Sequence, residues 1–168
     1  MAGVLLYVPF WSAGTSLWSG LTTYLAHWEF NGSLYTLLRT GIRSDEKVRV
    51  ILAAALAAGT IWISIRARTA TGAAMALFIG YLLASPTVYP WYLVPVVALL
   101  PLHPNAGVLV FSGLVALSYV SLPTYLATGA SALPGWVPWV EYGGAVAAMA
   151  AGAVLALRSA SAQARRTA

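Results

Sequence analysis

Cysteine is absent from this chain of 168 residues. There is therefore no disulfide framework, no thiolate metal site and no cysteine nucleophile. Charge is scarce as well, at 8% of residues, where a soluble domain carries about 25%. So few charges cannot cover a surface that faces water. With 60% hydrophobic residues and a mean hydropathy of +0.80, the medium around most of the chain is lipid. The net charge of +5 lies in clusters and not along a face, which argues against a nucleic-acid groove. Walker A, Rossmann, nucleophile-elbow and HExxH patterns are all missing, which disfavours a soluble nucleotide-using enzyme. No internal repeat suggests a transporter built from duplicated halves.

The N-terminus lacks a basic n-region and a small-residue cleavage site, so it does not read as a signal peptide. Met1 to Trp11 is apolar for about ten residues, roughly 15 Å of helix and half a bilayer. It reads as a short interfacial helix or, preferably, as the end of a spanning helix that begins upstream. From Trp11 to Ser19 the chain turns polar and aromatic, which suits the headgroup layer. Leu21–Trp28 and Gly32–Leu38 have apolar residues at helical spacing, interrupted at Asn31-Gly32. They are expected as two interfacial helices joined by a turn. Arg39, Arg43, Asp45, Glu46, Lys47 and Arg49 form the main charge cluster, with Ser44 as a helix N-cap.

The expected fold is all-α, a polytopic transmembrane bundle of about five spans plus short interfacial helices. The spans are Val48–Ile65, Thr69–Ala84, a bent Tyr89–Leu102, Ala106–Leu122 and Trp139–Leu157. Pro123–Pro138 is expected as a loop, and His103-Pro104-Asn105 as a tight turn with a structural histidine. Three regions follow: 1–47, a truncated helix end and extracytoplasmic interfacial segment; 48–157, the bundle; 158–168, a frayed cytoplasmic basic tail. Arg158, Arg165 and Arg166 mark the cytoplasmic side, and Arg66 and Arg68 fall on it by alternation. The Arg39–Arg49 cluster then lies outside, so either the topology is inverted or those cations have a purpose there. Gly72, Ala76 and Gly80, and again Gly144, Ala148 and Gly152, form small-residue stripes for close helix approach.

Chemistry concentrates in two stretches. His27, Glu29 and Asn31 alternate by two and would share a face of an extended segment. They could bind a metal or move a proton, or simply satisfy turn backbone. Arg39 and Arg43 are four apart, a spacing that on one helical face clamps a phosphate or snorkels to headgroups. Tyr89, Trp91 and Tyr92 sit in a proline-broken corner, where aromatic faces suit a sugar or an ordinary membrane belt. Glu141 lies near the start of the fifth span, where a carboxylate is favoured in any case.

YLAHWEFNGSLYTLLR (Tyr24–Arg39) and SPTVYPWYLVPVVALLP (Ser85–Pro101) resemble the C-terminal half of bacterial polytopic glycosyltransferases of the GT-C type. The nearest group is the glycosyltransferase 87 and polyprenol-phosphate-mannose-dependent mannosyltransferases. The resemblance rests on a W-x-F-N segment and an S-P-x-x-x-P-W-Y corner and covers most of the chain. It implies transfer of a sugar, mannose by this likeness, from a polyprenyl-phosphate donor to a lipid or glycan acceptor. The setting would be the outer side of a bacterial inner membrane, with membrane lipids and no nucleic acid as surroundings. It implies a substrate site of His27, Trp28, Glu29, Asn31, Arg39, Arg43, Tyr89, Trp91 and Tyr92. The acidic catalytic base would come from a loop upstream of Met1, so this stretch alone would be inactive. No cofactor is implied, and a divalent metal is left open. Tyr89 stands where the group often has histidine. The alternative is a non-catalytic membrane scaffold whose small-residue stripes bind partners.

Overall fold

The computed structural model describes residues 8–167, without the side chains of Leu17, Leu25, Ala160 and 162–167. Met1–Tyr7, where most of the expected first apolar stretch lies, is outside the described residues, as are the side chains of Arg165 and Arg166. The described chain is helical. A 3₁₀ stretch, Val8–Trp18, leads into α1 (Ser19–His27), α2 (Leu34–Ile42), α3 (Asp45–Arg66) and α4 (Ala70–Ala84). A 3₁₀ turn at Pro90–Leu93 opens α5 (Val94–Leu99). Then come α6 (Ala106–Leu114), a 3₁₀ stretch Val115–Ser121, α7 (Leu122–Thr128) and α8 (Trp136–Thr167).

Helix starts follow their caps. Ser44 Oγ accepts the Lys47 N–H at 3.5 Å, with Asp45 and Glu46 in the first turn of α3. Thr69 Oγ1 caps α4 at Gly72 N, and Asn105 Oδ1 caps α6 at Val108 N. α4 stops at Ala84 because Pro86 disfavours helix at Ser85.

Among the described residues, three stretches are long and apolar enough to cross a membrane: Asp45–Arg66, Ala106–Thr128 and Trp136–Ser159. Of the five expected spans, three reach that length and two are shorter apolar helices. Ala70–Ala84 has 15 residues, about 22 Å of helix against a hydrocarbon core of about 30 Å. The Pro90–Leu99 piece is shorter still, since its prolines remove backbone donors. Two further expectations change. Pro123 does not break the chain but sits in the first turn of α7, where its missing N–H costs nothing. The tail after Leu157 continues α8 as helix to Thr167.

Contacts arrange these pieces between two ends. Gly80 lies against Leu56, so α3 and α4 form an antiparallel hairpin across Arg66–Thr69. His103 Nε2 is 2.9 Å from Thr71 Oγ1, which puts the 100–105 turn beside the start of α4. α6 and α8 pack antiparallel: Gly144 abuts Leu114, and Gly152 abuts Ala106. A Cβ on Gly107 would stand 2.9 Å from the Ala145 carbonyl oxygen, so only glycine allows this approach. The small-residue stripe of α8 is thus used inside the molecule. The main core joins α4, α5 and α6 through Met75, Leu82, Val88, Leu93, Val96 and Phe111. A second cluster, Tyr35, Val48 and Leu52, seats α2 on α3.

Candidate functional site: a polar strap at one end of the bundle

Trp28–Ser33 runs as a strap between α1 and α2. α1 ends when Trp28 turns extended (φ −81°, ψ 125°). The strap then pairs with the corner after α4. The Phe30 N–H donates to the Pro86 carbonyl at 3.0 Å, and the Val88 N–H donates to the Phe30 carbonyl at 2.7 Å. The Thr87 hydroxyl donates to the Trp28 carbonyl at 2.9 Å. Backbone groups freed by the proline break are therefore satisfied by the strap. Asn31 takes a left-handed conformation, φ 56°, which asparagine tolerates better than most residues. A Cβ on Gly32 would stand 2.9 Å from the Pro86 carbonyl oxygen, so glycine is required by backbone contact. The two stretches that carried the resemblance thus lie side by side.

Side chains leave the strap in three directions. Phe30 stacks on Tyr89 at 4.7 Å and 18°, and Tyr89 stacks on Trp91 at 4.6 Å and 7°. Trp91 is 55% exposed and ends this stack at the surface. Trp28, also half exposed, tilts against Tyr24, whose hydroxyl lies 2.9 Å from that of Tyr92. Burial and the Tyr92 hydrogen bond push the Tyr24 hydroxyl up to about 12. These rings form an aromatic wall.

Glu29 points elsewhere. Its carboxylate accepts from the Tyr35 hydroxyl at 2.5 Å, from Arg39 Nη1 at 2.5 Å and from Arg49 Nη2 at 3.3 Å. Arg39 Nε also pairs with Asp45 at 2.7 Å. The Arg49 guanidinium lies 5.0 Å from the Tyr35 ring centre. Burial, then the hydrogen bond to Glu29, pushes the Tyr35 hydroxyl up to about 12. This ionic cluster ties α2 and α3 to the strap.

Asn31 takes the third direction. Its Nδ2 donates to Glu141 Oε2 at 2.5 Å, and its carbonyl accepts from the Tyr142 hydroxyl at 2.7 Å. Glu141 is completely buried. Neither Asn31 Oδ1 nor Glu141 Oε1 has a hydrogen-bond partner. Beside Asn31 opens a mostly apolar groove of about 620 Å³, bounded by α2, α4, α6 and α8.

Of the residues singled out in the sequence, Trp28, Glu29, Asn31, Arg39, Tyr89, Trp91 and Tyr92 gather around the strap. His27 stays on α1, exposed, its Nδ1 3.3 Å from the Thr23 carbonyl. His27, Glu29 and Asn31 therefore do not converge, and among the described residues no group of His, Asp and Glu could hold a metal. Arg43 does not stack under Arg39. α2 ends at Ile42 and Arg43 is its left-handed cap, φ 53°, so the one-face clamp is corrected. Arg39 is engaged by two carboxylates. Sequence reasoning placed Arg49 in the charge cluster but not at the site, did not single out Phe30, Tyr35 or Thr87 for it, and gave Glu141 little weight. An ionisable side chain within an apolar span was the available signal for Glu141.

No family model, no curated protein and no solved structure matches the chain. Composition and three apolar helices define the class, a helical membrane protein.

Proposed function

We propose that the strap end is a substrate site for a sugar carried on a lipid phosphate. On this reading the whole protein is a membrane glycosyltransferase of the GT-C kind, drawing on a polyprenyl-phosphate donor outside the cytoplasm. The observation that carries it is the Phe30–Tyr89–Trp91 stack, which ends in a half-exposed indole beside an ionic cluster. Indole faces suit the C–H faces of sugars. Guanidinium groups suit phosphate oxygens. Arg39 spends only part of its donor fork on Glu29 and Asp45, and the exposed Arg43 and Lys47 lie on the same stretch. Neighbouring positions of an extended segment face opposite ways, so a ligand that uses both groups must bridge the strap. A phosphosugar on a lipid tail has that length and that division of chemistry. All five apolar passes, the two short ones included, then cross the bilayer.

The test uses membranes that contain the natural full-length gene product, assayed for sugar transfer from a polyprenyl-phosphate donor. Trp91→Ala should lower kcat/KM roughly tenfold, about 1.4 kcal/mol of lost transition-state binding. Arg39→Ala should raise KM for the donor. Unchanged transfer in both variants refutes the site. The scaffold reading loses its main support here, because the α8 stripe it would offer to partners is covered by α6.

A further inference from the structure

The buried end of the strap contains an arrangement that the sugar-site reading does not use. Asn31 and Glu141 lie 110 positions apart and meet through one hydrogen bond, Nδ2 to Oε2. Asn31 is 6% exposed and Glu141 0%. An amide and a carboxyl are planar groups of the same outline, each with two polar atoms on one edge. The atoms left over on those edges are Asn31 Oδ1 and Glu141 Oε1, and both are buried without a partner. With the carboxyl ionised, these are two acceptors with no side-chain donor between them, a costly state for buried polar atoms. One proton on Oε1 satisfies both: the acid O–H donates to Oδ1 while the amide N–H donates to Oε2.

The surroundings agree. Tyr142, on α8 itself, directs its hydroxyl to the Asn31 carbonyl. Ser118, from the 3₁₀ stretch packed against α8, is buried, turns its backbone N–H toward the Glu141 carboxyl and gives its hydroxyl to the Val115 carbonyl. Ser33 is the neighbouring hydroxyl on the strap and gives its proton to the Leu83 carbonyl. The charged groups of the strap end, Glu29, Arg39 and Arg49, are engaged with one another. No ion pair joins Glu141 to a cation among the described residues.

We propose that Asn31 and Glu141 form a proton-held acid–amide pair that latches the strap to α8, and that loss of the proton unlatches it. The step breaks only the O–H bond: the proton passes to bulk base and a carboxylate remains. Oε1 and Oδ1 then face each other as acceptors, and Asn31 loses its reason to hold a left-handed backbone. Phe30, the adjacent residue, carries the aromatic stack, so the latch sets whether that wall is assembled.

The experiment uses the full chain in lipid nanodiscs, with infrared spectra and thermal unfolding recorded from pH about 5 to about 9, below the tyrosine range. Glu141→Gln keeps both hydrogen bonds without a proton to lose. The wild type should show a protonated-carboxyl band at low pH that fades as pH rises and is missing in E141Q. Its unfolding midpoint should drop by roughly 4 °C or more over the same range, while that of E141Q stays level. Glu141→Ala should melt low throughout. The latch is overturned if E141Q retains the band, if wild type and E141Q respond to pH alike, or if E141A matches E141Q.

Discussion

At the scale of single residues, Glu29 organises more than any other side chain of the strap. It receives a phenol and two guanidinium groups, and the phenol is the most sensitive reporter. Tyr35 is 2% exposed, and its hydroxyl is pushed up to about 12 from an ordinary value of 10.0. A group that holds its proton more tightly when folded contributes stability that is full below its unfolded value. Here that contribution is lost as pH rises from about 10 toward 12. Tyr35→Phe should therefore destabilise the protein by about 1 kcal/mol at neutral pH. It should also flatten the alkaline fall in stability seen in the wild type. Denaturation followed across alkaline pH checks both, and a Tyr35→Phe curve parallel to the wild type removes the coupling. The sequence made Glu29 visible as a rare acid in a polar break. Its partners were not legible, because Tyr35 and Arg49 become neighbours only when α2 folds back onto α3. His27 was misjudged because α1 runs one residue past the point where extended alternation begins.

At the scale of elements, close approach of α6 and α8 depends on glycine where backbones touch. Gly107→Ala would set a Cβ 2.9 Å from the Ala145 carbonyl oxygen, which cannot move aside as a flexible side chain could. That change should cost about 1–3 kcal/mol. Gly59→Ala is the control: nothing lies within 4 Å of its Cβ site on α3. It should be neutral or stabilising by about 0.5–1 kcal/mol. Thermal unfolding of both variants in the same detergent decides the matter, and equal midpoints would refute the packing argument. The stripe at Gly144 and Gly152 was readable from four-residue spacing. Gly107 was not, since its demand comes from a partner helix far along the chain. α7 escaped notice because proline and glycine punctuate both loops and helix termini. Only the surrounding geometry shows that Pro123 begins a helix and that Gly129, φ 72°, ends it.

At the scale of the whole molecule, three membrane-length helices and two shorter apolar ones connect two ends, and the strap fixes which corners share an end. The strap pairs with 86–88 by backbone hydrogen bonds, so the 28–31 and 85–92 stretches cannot lie across a membrane from each other. Arg49 reaches Glu29, and Glu141 meets Asn31, which places the starts of α3 and α8 at that same end. Arg66, Arg68 and His103 gather at the other end, beside Thr71. Basic residues alone divide too evenly to orient the protein. Pairing breaks the tie, since Arg39 and Arg49 are held by acids while Arg66 rests on the Trp62 ring and pairs with no acid among the described residues. The end with Arg66 and Arg68 is therefore the one expected to face the cytoplasm. The native chain has no cysteine, so single introduced thiols report without background. In intact cells an impermeant maleimide should modify Arg43→Cys and Trp91→Cys and spare Arg68→Cys until the membrane is opened. Reaction of Trp91→Cys from the side opposite Arg43→Cys would mean that the α4 pass, about 22 Å long, fails to cross. The corner would then be parted from the strap, and the aromatic wall with it.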